Sequence, residues 1–241
     1  MKKRLTSKIN VFVGIVVLTI LLSAMNGCST KKETVKIGVV GTMSGMQSDL
    51  SVSGRRGIEI AVDEINERGG INGCQIELII KNDENNYERA AEIVQEFADE
   101  GVSYVIGHYT SGMMLAAYDE LSKHDILYLG PTISSDSLSL MDDNFIRFIA
   151  STKEQAEILN TIALRDDHVK FVILFDEKNL GFNELLYHNF EEILMSHGGE
   201  VVWNYGFETI DETVTEEMVN YLKLIESETL IFFAGIFISE T

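Results

Sequence analysis

The sequence predicts an α/β protein made of two lobes, each a doubly wound parallel sheet. Two observations predict this class: short β-branched strands alternate with amphipathic helices from residue 35 onward, and the alternation restarts near residue 150. Repeated strand–helix–strand units favour parallel strands joined by right-handed crossovers, with helices on both faces of the sheet. We therefore expect a first lobe over residues 35–150 and a second over 151–241. No low-complexity stretch separates them, so a hinge is expected at the junction.

The elements of the first lobe follow from apolar patterns taken in order along the chain. "VKIGVV" (35–40) is a short β-branched run, which predicts a buried strand. Residues 54–68 place apolar side chains at i, i+3, i+4 and i+7, so a helix is expected there, and the glycines of "RGGING" (68–73) end it. The same patterns predict strands at 75–81, 102–106, 126–130 and 145–150, and helices around 90–98 and 114–121.

The second lobe repeats this alternation. The patterns predict helices at 153–165, 185–197 and around 218–225, and strands at 170–175, 200–205 and 229–238. The last strand, "TLIFFAGIFI", is a nearly unbroken apolar run and is expected to be buried on both faces. Because neither a covering helix nor a pairing strand follows it in the sequence, we expect the second lobe to be incomplete.

The N-terminus has the three-part layout of an export signal. "MKKRLTSK" is basic, "VFVGIVVLTILL" is an apolar stretch of signal-peptide length, and Gly27 then precedes Cys28. This resembles a bacterial lipoprotein signal over residues 1–27, in which Cys28 becomes the lipidated first residue of a tether (28–34). The alternative is an uncleaved anchor over residues 9–25, which is short for a full membrane span. Either way, we expect the body of the protein outside the cytoplasmic membrane, attached to it.

Charge and cysteine content exclude several classes. The formal net charge is −19, and since residues 1–27 hold four basic residues and no acid, the remainder carries 15 basic against 38 acidic residues. Such a surface repels phosphate backbones, so nucleic-acid binding is not expected. With Cys28 lipidated, Cys74 has no partner for a disulfide and is expected to be a small half-buried residue. One thiol and scattered histidines are too few for a metal site.

Three loops stand out as candidates for binding. In open parallel sheets, ligands bind outside the carboxyl ends of the strands. The predicted ends in the first lobe carry "GTMSG" (41–45), "GHYTSG" (107–112) and "GPTISSDS" (130–137), which are rich in glycine and hydroxyl groups. Hydroxyls and free amides at the start of a helix favour an anion, so residues 110–112 are expected to hold a carboxylate. The alternative for any one loop is an ordinary helix N-cap; three on one edge favour a site.

Enzyme signatures are absent from the sequence. The serine of "GTMSG" is displaced by one position from a nucleophile elbow, and no Gly-x-Gly-x-x-Gly follows a strand to bind a cofactor. His108 is predicted to be packed and hydrogen-bonded rather than a base, since no acid or nucleophile pairs with it along the sequence. The acidic run "KNDENN" (81–86) lacks the spacing of a calcium loop and is predicted to be a solvated loop.

Four segments together resemble a known family: "KIGVVGTMSG", "GIEIAVDEINERGGINGCQIELIIKNDE", "YVIGHYTSG" and "ILYLGPTISS". They are similar to the type I periplasmic binding proteins, in the branched-chain amino-acid (Leu/Ile/Val-binding) branch, from about Val35 to the end of the chain. The resemblance implies a Venus-flytrap whose two lobes close on a small ligand. It also implies a receptor that delivers an amino acid or similar small carboxylate to an ABC permease. The alternative is the same module as the extracytoplasmic sensor of a membrane signalling protein.

The resemblance also implies the site residues. The loop Tyr109-Thr110-Ser111 would bind the ligand's α-carboxylate through backbone amides and the serine hydroxyl. The loop Thr132-Ile133-Ser134 would receive its α-amino group through a carbonyl and a hydroxyl.

Further positions implied by the resemblance would surround the rest of the ligand. The first loop, from Ser44 to Leu50, would cover it, with Leu50 standing where many members have an aromatic residue. In the second lobe, Leu180 and Ile236 match positions where members often have tyrosines. The acidic residue that pairs with the amino group in the family would lie beyond Thr241.

Overall fold

The structure, a computed structural model, describes residues 34–45, 48–165, 169–208, 212–225 and 230–234. The predicted signal peptide, the predicted lipidation site Cys28 and the predicted ligand contact Ile236 lie outside these residues. Within the described ranges, none of the helices combines the length and the apolar character needed to cross a membrane.

The first sheet has five strands, and all of its neighbouring pairs are parallel. The strands are β1 (Val35–Gly41), β2 (Ile76–Asn82), β3 (Tyr104–Ile106), β4 (Leu127–Gly130) and β5 (Phe145–Arg147). Their spatial order is β2-β1-β3-β4-β5. Because the first strand lies inside the sheet and the chain moves outward on both sides of it, this is the arrangement of a doubly wound fold.

Three helices connect these strands, namely α1 (Asp49–Glu67), α2 (Tyr87–Asp99) and α3 (Ser111–Leu121). Helices α2 and α3 bury their apolar stripes in one core with Val40, Val105 and Tyr128 of the sheet. Helix α1 packs against β1 and β2. Side chains alternate along a strand, so Val39, which is also fully buried, points to the face opposite Val40.

The second sheet has three parallel strands in the order β7-β6-β8. They are β6 (Lys170–Asp176), β7 (Glu200–Phe207) and β8 (Leu230–Ala234), and the helices around them are α4 (Thr152–Arg165), α5 (Leu180–Ser196) and α6 (Glu212–Leu222). Phe171 and Ile173 of β6 pack with α4 and α5, whereas Val172 and Leu174 pack with α6. Helices therefore cover both faces of the central strand, and the predicted α/β class with parallel sheets is confirmed.

Helices α1 and α5 begin earlier than predicted, as does α6, which spans Glu212–Leu222 instead of lying around 218–225. Helix α1 starts at Asp49 instead of residue 54, and α5 starts at Leu180 instead of residue 185. In both, the first turns lack a full apolar stripe, so periodicity alone did not reveal them. Strand β5 ends at Arg147, three residues before the predicted end, and Phe148 beyond it is 67% exposed.

Candidate functional site

Two of the three predicted loops lie side by side at the carboxyl edge of the first sheet. The hydroxyl of Thr132 donates to the carbonyl of Tyr109 at 2.6 Å. The amide of Ser134 donates to the Oγ of Ser111 at 3.3 Å. Strands β3 and β4 are neighbours, so the loops that follow them come together. The structure thus joins the residues predicted to hold a carboxylate to those predicted to hold an amino group.

Thr110 begins helix α3, as the sequence predicted. Its backbone is extended, and its side chain accepts a hydrogen bond from the Met113 amide at 3.5 Å, which makes it the N-cap. The amides of Ser111 and Gly112 fall in the first turn, where N–H groups have no acceptor within the helix. The ordinary capping role and the first-turn amides of the anion-binding hypothesis therefore occur in the same loop.

Most of these loop residues are buried. Ser111 is 1% exposed, Ser134 1% and Ile133 0%, while Thr132 is half-buried. Ile133 belongs to the core of the first sheet, so it can offer a ligand its backbone only. The Ser111 hydroxyl accepts from Ser134, which leaves its own proton available to another acceptor.

The loop after β1 is positioned by the last residue of β2. Asn82 accepts a hydrogen bond from the Met43 amide at 2.8 Å and donates to the Ser44 hydroxyl at 3.1 Å. Ser44 itself is exposed. Leu50 lies in the first turn of α1 rather than in the loop, and it is 40% exposed.

The second sheet reaches this site through the start of α5. Leu180, the predicted ligand contact, is its first residue and is 41% exposed. The residue before it, Asn179, is 9% exposed, and its side-chain oxygen lies 3.4 Å from the Gly112 amide of α3. The sequence analysis missed Asn179. Its one available signal was an asparagine directly before a helix, and here that side chain does not cap its own helix.

The backbones of α3 and α5 approach closely at this point. A Cβ added at Gly181 would lie 3.1 Å from the Gly112 nitrogen and 3.0 Å from Leu115 Cδ1. Both distances are shorter than ordinary van der Waals contact. The absence of a side chain at residue 181 therefore permits Asn179 to reach the N-terminus of α3.

A buried carboxylate–imidazole pair lies next to the loop, because His108 directly precedes Tyr109. Asp83 is fully buried, and its Oδ2 is 2.8 Å from Nδ1 of His108, which is fully buried too. Its Oδ1 accepts from the Thr42 hydroxyl at 2.7 Å and from the Asn85 amide at 3.1 Å. The prediction of a packed, hydrogen-bonded His108 is confirmed, whereas the statement that it has no acidic partner was wrong.

The prediction of a solvated loop over 81–86 was wrong at Asp83. Burial by itself raises the pKa of this carboxyl, but hydrogen bonds from His108, Thr42 and the Asn85 amide, with attraction to the imidazole, bring the pKa below its ordinary value. Asp83 is therefore a buried carboxylate with compensating partners.

Burial also raises the pKa of Tyr109. The Tyr109 ring fits because residues 41 and 54 are glycines, where an added Cβ would overlap it.

The described part of the chain contains no cluster of metal-binding side chains. Among those residues, no three His, Cys, Asp or Glu side chains are grouped in a way that could hold an ion. Cys74 is half-buried, as predicted.

Doubly wound parallel sheets, a helix N-terminus at a sheet edge and a contact from a second sheet define a two-lobed α/β binding protein. The model of the periplasmic binding protein family matches residues 34–215. That is well over half of the chain, and the chain belongs to this family. Its members are substrate-binding proteins rather than enzymes, and they work outside the cytoplasmic membrane.

Individual relatives place the chain near the branched-chain amino-acid branch, as the resemblance predicted. It is 24% identical over 202 residues to Leu/Ile/Val-binding protein homolog 3 of Brucella melitensis, covering 83% of this chain and 54% of the relative. The isoleucine complex of the branched-chain amino acid transporter substrate binding protein LivJ from Streptococcus pneumoniae matches with a TM-score of 0.69 and 25% identity. That match covers 83% of this chain and 57% of the solved one.

An ABC transporter substrate-binding protein from Desulfitobacterium hafniense, solved with Leu, matches with a TM-score of 0.66 and 27% identity. The match covers 84% of this chain and 58% of the solved one. The chain thus spans little more than half the length of these proteins. Isoleucine and Leu are the ligands of those two solved proteins.

Proposed function

We propose that this chain provides the ligand-binding part of an extracytoplasmic receptor that captures an amino acid or similar small carboxylate for an ABC importer. The observation that carries the proposal is the junction of the α3 N-terminus with the loop after β4, through Ser111 and Ser134. It combines first-turn amides with no acceptor inside their own helix, a hydroxyl proton and a neighbouring acceptor loop in one place. The relatives from Streptococcus and Desulfitobacterium, solved with isoleucine and Leu, support this ligand class.

The ligand's carboxylate is assigned to the first turn of α3. The amides of Ser111 and Gly112 and the hydroxyl of Ser111 would donate to its oxygens. Partial positive charge at a helix N-terminus favours an anion by about 0.3–1 kcal/mol at exposed positions, and by more where water is excluded. Ser111 is almost fully buried, so its hydrogen bond would form in an environment that strengthens it.

The ligand's amino group is assigned to the loop of residues 132–134. The Thr132 hydroxyl donates its proton to Tyr109, which leaves its oxygen lone pairs to accept from an ammonium group. Leu50 and Leu180 are apolar and each about 40% exposed, so we assign them to the ligand's side chain. Ser44 would lie over the ligand from the loop after β1.

Asn179 is the residue of the second lobe that lies against the proposed carboxylate site. Its side-chain oxygen lies near the Gly112 amide, where a carboxylate oxygen of a ligand would also be attracted.

We assign Cys28 to lipid attachment, on the strength of the signal-like sequence before it. Loss of lipid labelling in Cys28→Ala is the expected result, and labelling that persists in this variant would move the anchor elsewhere.

The test is a calorimetric panel on the full-length mature protein. Leucine, isoleucine and valine are compared with leucinamide, which lacks the carboxylate, and with isocaproate, which lacks the amino group. We expect the amino acids to bind and leucinamide to lose nearly all affinity, because the α3 amides would then face an uncharged group. Equal affinity for leucine and leucinamide would contradict the carboxylate assignment.

A further inference from the structure

Asp83 connects three separate loops at the carboxyl edge of the first sheet. It accepts from Thr42 after β1, from the Asn85 amide in its own loop after β2, and contacts His108 after β3. All three side chains involved are nearly or fully buried. Each oxygen of the carboxylate is used, so the group is a junction rather than a surface charge.

The order of the strands explains why one residue can do this. Strand β1 lies between β2 and β3, so Thr42 stands between the loop of Asp83 and the loop of His108. A side chain with two acceptor oxygens can hold both neighbours at once. The Asp83 carboxylate is such a group and stays ionised through these same contacts.

His108 carries the connection into the proposed carboxylate loop. Its ring is held by Asp83 on one side and stacks against the Tyr128 ring, with centroids 6.4 Å apart. The next three residues along the chain are Tyr109, Thr110 and Ser111. A fixed imidazole therefore fixes the direction in which the chain enters the first turn of α3.

We propose that Asp83 is a positioning residue for ligand binding, acting through His108 on the Tyr109–Ser111 loop and through Thr42 on the loop of Ser44. It does not touch the ligand. The test by ligand affinity rests on the proposed function. A second test, by amide hydrogen exchange without ligand, rests on the geometry of the loop alone.

The main variant is Asp83→Asn. Its side-chain oxygen can still accept from Thr42 and Asn85, but its NH₂ group would meet His108 Nδ1, where the carboxylate had accepted. The variant therefore weakens the His108 connection: the new NH₂ group and Nδ1 can pair only if the ring proton moves to Nε2, which is buried and has no hydrogen-bond partner among the described residues. We expect the affinity of the full-length protein for leucine, measured by calorimetry, to fall about tenfold or more.

Two substitutions at His108 separate positioning from simple packing. In His108→Asn the side-chain NH₂ takes the place of Nδ1–H and can donate to Asp83, so most of the affinity should be retained. His108→Leu fills the space without a donor and should lose as much affinity as Asp83→Asn. If His108→Asn and His108→Leu bind leucine equally, the hydrogen bond does not position the loop and the proposal fails.

Controls address general destabilisation and loss of charge. Ile93→Val lowers stability in the core of the same sheet, on α2 and away from the loops, and should leave affinity unchanged. Asp63→Asn removes a charge from the exposed face of α1 and should also bind normally. Affinity that falls in Ile93→Val as far as in Asp83→Asn would show an effect of stability alone and would overturn the proposal.

A measurement without ligand keeps the proposal testable even if the proposed function is wrong. Amide hydrogen exchange should accelerate at Thr110, Ser111 and Gly112 in Asp83→Asn, while the amides of α2 keep their protection. If the wild-type protein binds none of the amino acids but this pattern appears, the positioning role stands and the proposed ligand class fails. Unchanged exchange at these three amides would overturn the positioning role.

Discussion

At the scale of single residues, Ser111 is where the helix terminus, the neighbouring loop and the proposed ligand meet. Its oxygen accepts from the Ser134 amide, so its proton is the one that a carboxylate can receive. Loss of a hydrogen bond to a charged group costs about 1.5–3 kcal/mol. Ser111→Ala should therefore weaken amino-acid binding roughly tenfold to a hundredfold by calorimetry. Ser137→Ala, at an exposed position of the next loop, is the control and should bind normally; equal affinity of both variants would place the carboxylate elsewhere.

Asp83 gives a second prediction at this scale, on how the free energy of unfolding depends on pH. Its pKa in the folded protein is lowered, so the ionised form stabilises the fold above its ordinary pKa of about 4. That contribution disappears as the pH falls through the folded pKa. Near pH 7 the free energy of unfolding of Asp83→Asn should be lower than that of the wild-type protein by about 1.5–3 kcal/mol. Urea titrations should show this difference narrowing below about pH 4; a difference that stays constant down to pH 3 would contradict the lowered pKa.

At the scale of helices and strands, the sequence predicted each α-helix and β-strand that the structure describes, but not the short 3-10 helices Asp136–Leu138 and Glu177–Asn179. The alternating apolar patterns were sufficient because parallel strands are buried on both faces and each helix has one apolar stripe. The first turn of α5 was not predicted from the apolar pattern, since Leu180 is 41% exposed and Gly181 lies in close contact with α3.

The partners of Asp83 and Asn179 could not be predicted, because each depends on how separate strands or lobes are placed. Asp83 and His108 are brought together by the order β2-β1-β3, which local patterns do not contain. The loops after β3 and β4 were found in advance because hydroxyl-rich sequence at a predicted strand end is itself a local pattern.

The contact between α3 and α5 predicts that Gly181→Ala lowers ligand affinity, whereas a glycine-to-alanine control elsewhere changes only the free energy of unfolding. Gly181→Ala adds a methyl group that would crowd Leu115 and the Gly112 nitrogen, so α5 must move away and ligand affinity should fall several-fold. Gly57→Ala is the matched control, since the space around Gly57 in α1 is open. It should raise the free energy of unfolding by about 0.5–1 kcal/mol and leave affinity unchanged. Thermal melts and calorimetry of both variants decide; normal affinity in Gly181→Ala would show that the close approach is dispensable.

At the scale of the whole molecule, helix α3 of the first lobe and helix α5 of the second meet where the proposed carboxylate would bind. The Asn179 oxygen accepts from the Gly112 amide at 3.4 Å, which is a long and therefore weak hydrogen bond. A ligand carboxylate carries a full negative charge and would be a stronger acceptor for the same amide. Binding should thus exchange a weak contact between the lobes for a stronger one through the ligand.

Substitutions at Asn179 test this exchange from both directions. Asn179→Asp places a negative charge at the N-terminus of α3, where it would both satisfy the amides and repel an incoming carboxylate. We expect the affinity for leucine to fall more than tenfold at pH 7 and to recover partly as the pH is lowered towards 4, where the new carboxyl takes up a proton. Asn179→Ala removes the competing acceptor, and the affinity should rise about twofold to tenfold, since an ordinary hydrogen bond contributes about 0.5–1.5 kcal/mol. Calorimetry on the full-length protein separates the two effects. If both variants lose affinity to the same extent at pH 7, Asn179 supports the ligand instead of competing with it, and the exchange does not occur.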